Sequence, residues 1–121
     1  MTEENIIVLL VEDVFLIRDA VAEHLKAEGF LVFEAANAKD AIRRLETEAR
    51  IDVVFTDIEM PGDMDGRDLA LAVLKRWPGV SVILTSGQVV PDAEELAATA
   101  GFFGKPYDHA HVAAACRGAV T

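Results

Sequence analysis

Five short runs of branched and aromatic apolar residues, each followed by a stretch whose apolar residues recur every three or four positions, constrain this chain more than any other feature. Ile6-Ile7-Val8-Leu9-Leu10-Val11 is apolar on both faces and ends at Glu12-Asp13, the pattern of a strand buried inside a parallel sheet. Val14, Ile17, Val21 and Leu25 then share one helical face up to Gly29, a residue suited to the left-handed position after a helix. The cycle repeats with a strand over 30–35, Asn37 as N-cap, and a helix carrying Ala38, Ala41, Ile42 and Leu45 on its buried face. A third strand is expected over 51–56. After Met60-Pro61-Gly62 a helix runs over about 66–77, with Trp77 as its last core contact, and Pro78-Gly79 stops it. A fourth strand over 80–85, a shorter helix over 92–100, a brief strand over 101–104 and a helix over 107–120 complete the pattern. Right-handed crossovers return each strand parallel to the last, so strict alternation predicts an α/β three-layer sandwich: a parallel sheet with helices on both faces.

The 121 residues amount to one domain, expected to span 1–121 without an output domain. Eleven Lys and Arg against 21 Asp and Glu give a net charge of −10, which argues against direct contact with nucleic acid or an anionic leaflet. The longest apolar run is far shorter than the roughly 20 residues of a membrane span, and Met-Thr-Glu-Glu lacks a basic signal-peptide start. A cytoplasmic protein without membrane insertion is expected. Cys116 is the only cysteine, which excludes an internal disulfide and a multi-thiolate metal site; it reads as a small apolar side chain of the last helix. His24, His109 and His111 lack ligand partners at metal-binding spacing and read as exposed helix positions.

In parallel sheets of this kind ligands bind beyond the carboxyl ends of the strands. Glu12 and Asp13 follow the first strand, Asp57 and Glu59 the third, Ser86 the fourth, and Lys105-Pro106 the fifth. Clustered carboxylates repel and need a cation, and oxygen ligands favour a hard one, Mg²⁺. With the Lys105 ammonium and the Ser86 hydroxyl, the set suits phosphoryl transfer onto a carboxylate.

Four motifs in order then carry a resemblance over essentially the whole chain: Glu12-Asp13; Asp57-Ile58-Glu59-Met60-Pro61-Gly62 ending in Asp65-Gly66; Thr85-Ser86-Gly87; and Gly104-Lys105-Pro106-Tyr107. The sequence resembles the receiver domains of two-component response regulators. That resemblance implies a flavodoxin-like five-stranded sheet of order 2-1-3-4-5 with five helices. It implies Asp57 as phospho-acceptor, Asp13 and Asp57 as Mg²⁺ ligands, Glu12 as a second acid acting directly or through water, and the Glu59 backbone carbonyl as a further ligand. Lys105 would pair with Asp57 and then with the phosphoryl group, helped by a cis bond before Pro106. Ser86, with Thr85 as second choice, would be the switch hydroxyl, and Phe102 the aromatic that follows its closure. The implied partners are a histidine kinase or histidine phosphotransfer protein and an unidentified output protein; Phe15 and Leu16, early in the first helix and close to the acidic pair, read as docking residues.

Three features depart from the usual receiver pattern: Glu12 replaces an aspartate, the Met60–Gly66 turn is one residue longer, and the Ser86–Lys105 interval is shorter, which predicts a short or irregular fourth helix. A stand-alone receiver and one cut from a larger regulator both remain open. The alternative reading is a Mg²⁺-dependent phosphohydrolase of the haloacid-dehalogenase type with an aspartate nucleophile. There the nucleophile follows the first strand, whereas 56 residues precede Asp57. A flavin mononucleotide binder is disfavoured by Glu12-Asp13, which repels phosphate where that fold needs a phosphate cradle.

Overall fold

A computed structural model describes residues 5–120; the acidic start read at residues 1–4 lies outside the described residues, as does residue 121. Strands β1 (Ile7–Val11), β2 (Leu31–Ala35), β3 (Val53–Asp57), β4 (Ser81–Ser86) and β5 (Gly101–Gly104) alternate with helices α1 (Phe15–Ala27), α2 (Ala38–Thr47), α3 (Gly66–Arg76), α4 (Ala93–Ala98) and α5 (His109–Ala119). All neighbouring strands pair in parallel, in the order β2-β1-β3-β4-β5. Strand order reverses between β1 and β3, which places the ends of these two central strands side by side.

Alternate residues of each strand feed two cores. Leu9, Val11, Val54, Val82 and Leu84 pack with Ala41, Leu45, Leu69 and Val73 of α2 and α3. Val8, Leu10, Val53, Phe55 and Ile83 pack with Val21, Leu25, Val112 and Cys116 of α1 and α5. Cys116 is fully buried, and burial pushes its thiol pKa up to about 12, so it behaves as an apolar side chain. Trp77 lies half-buried against the α2–α3 core.

Local chemistry sets the boundaries. Gly29 adopts φ +96°, the left-handed conformation expected after α1. Asn37 caps α2 by accepting the Asp40 amide at 2.8 Å. The last helix begins at His109 rather than at 107, because the Asp108 carboxylate caps the amides of Ala110 at 2.8 Å and His111 at 3.3 Å. Strands β3 and β4 extend one residue past their expected ends, to Asp57 and Ser86, since Asp57 pairs with Thr85 and Ser86 with Gly104 in the ladder. The fourth helix is short as expected, six residues, and ends at Ala98 rather than at 100. The histidines differ from expectation in part. His111 is exposed, but His24 and His109 are half-buried with ring centroids 5.5 Å apart across α1 and α5, and His24 bonds Glu28.

Candidate functional site

Parallel pairing brings the ends of β1, β3, β4 and β5 to one edge of the sheet. Asp57, the last residue of β3, is only 2% exposed. Its Oδ2 accepts the Lys105 ammonium at 2.8 Å, while Oδ1 is buried without a hydrogen-bond partner. The same ammonium donates to Glu12 Oε1 at 2.7 Å, so Lys105 bridges the ends of β1 and β3. Glu12 is buried too, and its Oε2 accepts the Val14 amide at 3.1 Å. Asp13 is exposed beside them, and one carboxylate oxygen from each of Glu12, Asp13 and Asp57 lies within 4.8 Å of the others. The peptide bond before Pro106 is cis.

Burial, opposed by the Lys105 hydrogen bond, drives the Glu12 and Asp57 carboxyls above their ordinary range, and neighbouring carboxylate charge adds to it. Burial alone would lower the Lys105 ammonium, but its bonds to Asp57 and Glu12 outweigh that and hold it above its ordinary value. Burial also lifts Tyr107 to about 12, with the Glu12 charge adding to the shift. Negative charge is thus in excess at this edge, and a cation would relieve it.

Ser86 and Thr85 diverge as alternation along a strand requires. The Ser86 hydroxyl reaches across to the Glu59 side chain, whereas the Thr85 hydroxyl is buried without a partner. Phe102 lies half-buried against the α2–α3 core. Phe15 and Leu16, 59% and 77% exposed, stand at the start of α1 on the same edge of the molecule as the acidic pair.

Arg18, Gly66 and the side chain of Glu59, a residue the sequence marks only for its backbone carbonyl, shape the edge in ways the sequence reading does not assign. Arg18 donates to the Glu12 carbonyl at 2.8 Å and to Glu34 at 3.1 Å, tying the chain after β1 to β2. Gly66 packs so tightly that a Cβ there would lie 1.9 Å from the Asp57 carbonyl oxygen and 2.7 Å from the Ile58 Cα. The Glu59 side chain, beyond its backbone carbonyl, bonds both Ser86 and the Gly87 amide. A glycine opening a helix directly after an aspartate hints at the role of Gly66; nothing local marks Arg18 or where the Glu59 side chain turns.

The response regulator receiver domain family matches residues 8–117. The chain is 33% identical over 109 residues to sporulation initiation phosphotransferase F of Bacillus subtilis, covering 84% of this chain and 82% of that one. It is 36% identical over 104 residues to the sensor kinase CckA of Brucella abortus, covering 83% of this chain and 11% of the kinase. It spans 17% of the putative NtrX-like response regulators of Rickettsia. Among solved structures, a response regulator receiver protein from Pseudomonas putida superposes with a TM-score of 0.83 at 26% identity over 97% of this chain and 99% of that one. A CheY-like receiver from Methanospirillum hungatei gives 0.85 at 25% identity, over 97% and 94%. The chain belongs to the receiver domains of response regulators, the phospho-accepting modules of two-component signalling. None of these matches supports the phosphohydrolase alternative.

Proposed function

We propose that Asp57 accepts a phosphoryl group from a phosphohistidine of a histidine kinase or histidine phosphotransfer protein, and that the modified edge alters binding of an output protein. The observation that carries this reading is the setting of the Asp57 carboxylate at the end of β3: Lys105 fixes its Oδ2 at 2.8 Å, and acid oxygens of Glu12 and Asp13 lie within 4.8 Å. A carboxylate held by one charged donor is restricted in orientation, which favours attack along a fixed direction. A carboxylate oxygen of Asp57 forms the new bond to phosphorus as the phosphorus–nitrogen bond breaks, and the electron pair stays on the imidazole. Lys105 holds negative charge as it spreads over the phosphoryl oxygens.

Mg²⁺ fits the donors present: carboxylates of Asp13 and Asp57, Glu12 directly or through water, the Glu59 backbone carbonyl, and an excess of buried negative charge. When bound it supplies charge neutralisation for the transferring group. Ser86 is the hydroxyl facing this edge and is assigned the switch, with Phe102 following it; Thr85, partnerless on the other face of β4, is the weaker candidate. Phe15 and Leu16 offer apolar area to the phosphodonor protein. In this reading the chain is a stoichiometric acceptor in the cytoplasm that assists its own phosphorylation and dephosphorylation, not an enzyme acting on a separate substrate, and it signals by protein contact, not through nucleic acid. Among the described residues no helix is long and apolar enough to cross a membrane.

Incubation with acetyl phosphate and Mg²⁺ followed by intact mass tests this. One added phosphoryl group is expected in the wild type and none in Asp57→Asn. Labelling that survives Asp57→Asn, or repeated turnover of a generic phosphate ester, would overturn the assignment.

A further inference from the structure

Two donors at the turn after β4 are committed to a carboxylate of this chain. Glu59, two residues past Asp57, reaches from the end of β3 to the end of β4. Its Oε2 accepts the Ser86 hydroxyl, and its Oε1 accepts the Gly87 amide at 2.9 Å. Ser86 Oγ in turn accepts the amides of Val89 at 2.7 Å and Gln88 at 3.1 Å. A hydroxyl has one proton and two lone pairs, so Ser86 is saturated, and its proton cannot serve Glu59 and a phosphoryl oxygen together. The turn also lies against the lysine: a Cβ at Gly87 would sit 3.8 Å from Lys105 Cδ and 4.0 Å from Glu59 Oε1.

We propose that Glu59 is a positioning residue, an internal anion that holds the Ser86 hydroxyl and Gly87 amide in the unmodified protein and is displaced when a phosphoryl group at Asp57 takes them. The proposal rests on Asp57 being the acceptor. It concerns the side chain alone, because any residue at 59 supplies the backbone carbonyl. Hydrogen bonds to a carboxylate are stronger than neutral ones, so the turn spends most of its time latched. A ligand that needs the released turn binds more weakly by the fraction released.

Titration with beryllofluoride, a tetrahedral phosphoryl mimic, at fixed Mg²⁺ and read by backbone amide spectra, tests the latch. Removing the carboxylate in Glu59→Ala should tighten binding about tenfold, as expected if the released turn is a minor population of the wild type. Glu59→Gln keeps an acceptor without the charge and should fall between. In a Ser86→Ala background the gain from Glu59→Ala should shrink by at least half, because only the Gly87 bond is left to release. In the unmodified protein, Glu59→Ala should speed amide exchange at Gly87. Unchanged affinity in Glu59→Ala overturns the latch. So does an equal gain in Ala and Gln that persists with Ser86→Ala, since that pattern is simple charge repulsion. A wild type that takes up no mimic, or an Asp57→Asn that takes it up equally well, overturns the acceptor assignment and the latch with it.

Discussion

Helices α3 and α4 begin with the same local device and end with very different holds on the protein. Asp65 accepts the amides of Arg67 at 2.9 Å and Asp68 at 3.0 Å, and the Asp68 carboxylate accepts the Asp65 amide at 3.1 Å. Asp92 accepts the Glu95 amide at 2.9 Å, and Glu95 returns the favour to the Asp92 amide at 3.0 Å. Yet α3 runs eleven residues and buries Gly66, Leu69, Ala70 and Val73, while none of the six residues of α4 is buried. A capping box satisfies amides and so decides where a helix starts. Burial of an apolar stripe decides how firmly it stays. The α4 segment keeps an ion pair to α3, Arg67 to Glu95 at 2.6 Å, and follows the turn that Glu59 holds. Weakly anchored segments open at low cost, so the site is flanked by one firm helix and one suited to move.

The comparison breaks most visibly at Leu69, which is fully buried. Leu69→Ala should cost about 3 kcal/mol in urea unfolding, from lost transfer energy and the cavity left behind. A smaller effect separates the two caps. Asp65→Ala should lower global stability by about 1 kcal/mol, whereas Asp92→Ala should leave it within about 0.5 kcal/mol and only speed amide exchange across residues 93–98. Equal global losses would mean that α4 is as integral as α3. The smallest effect belongs to Leu96, 43% exposed: Leu96→Ala should change unfolding by less than about 0.5 kcal/mol. A loss comparable to that at Leu69 would show that α4 packs into the core.

Much of this was legible beforehand because it depends on short-range pattern. Apolar runs and helical periodicity locate all ten elements, and Gly29 and Asn37 mark boundaries where the structure has them. The ends of β3 and β4 were less legible, because a strand stops where its ladder partners stop, and the partner of Asp57 is Thr85, 28 positions away. The start of α5 shifted because Asp108 competes for the first free amides. His24 and His109 read as exposed positions on separate helices, and only the packing of α1 beside α5 brings their rings together.

What the sequence determined alone is therefore the alternation, the parallel sheet it requires, and a set of acids, a hydroxyl and a lysine at strand ends, since the period of a strand or helix and the residue after it are local properties. Tertiary structure decided the rest. It brought Lys105 between Glu12 and Asp57, across 93 and 48 positions of chain, set Arg18 under the Glu12 carbonyl, demanded a glycine at 66 where the Asp57 carbonyl leaves no room for a Cβ, and turned the Glu59 carboxylate onto Ser86 and Gly87. Each depends on which strands lie side by side and how closely two backbones approach, and residue type or spacing along one chain encodes neither directly.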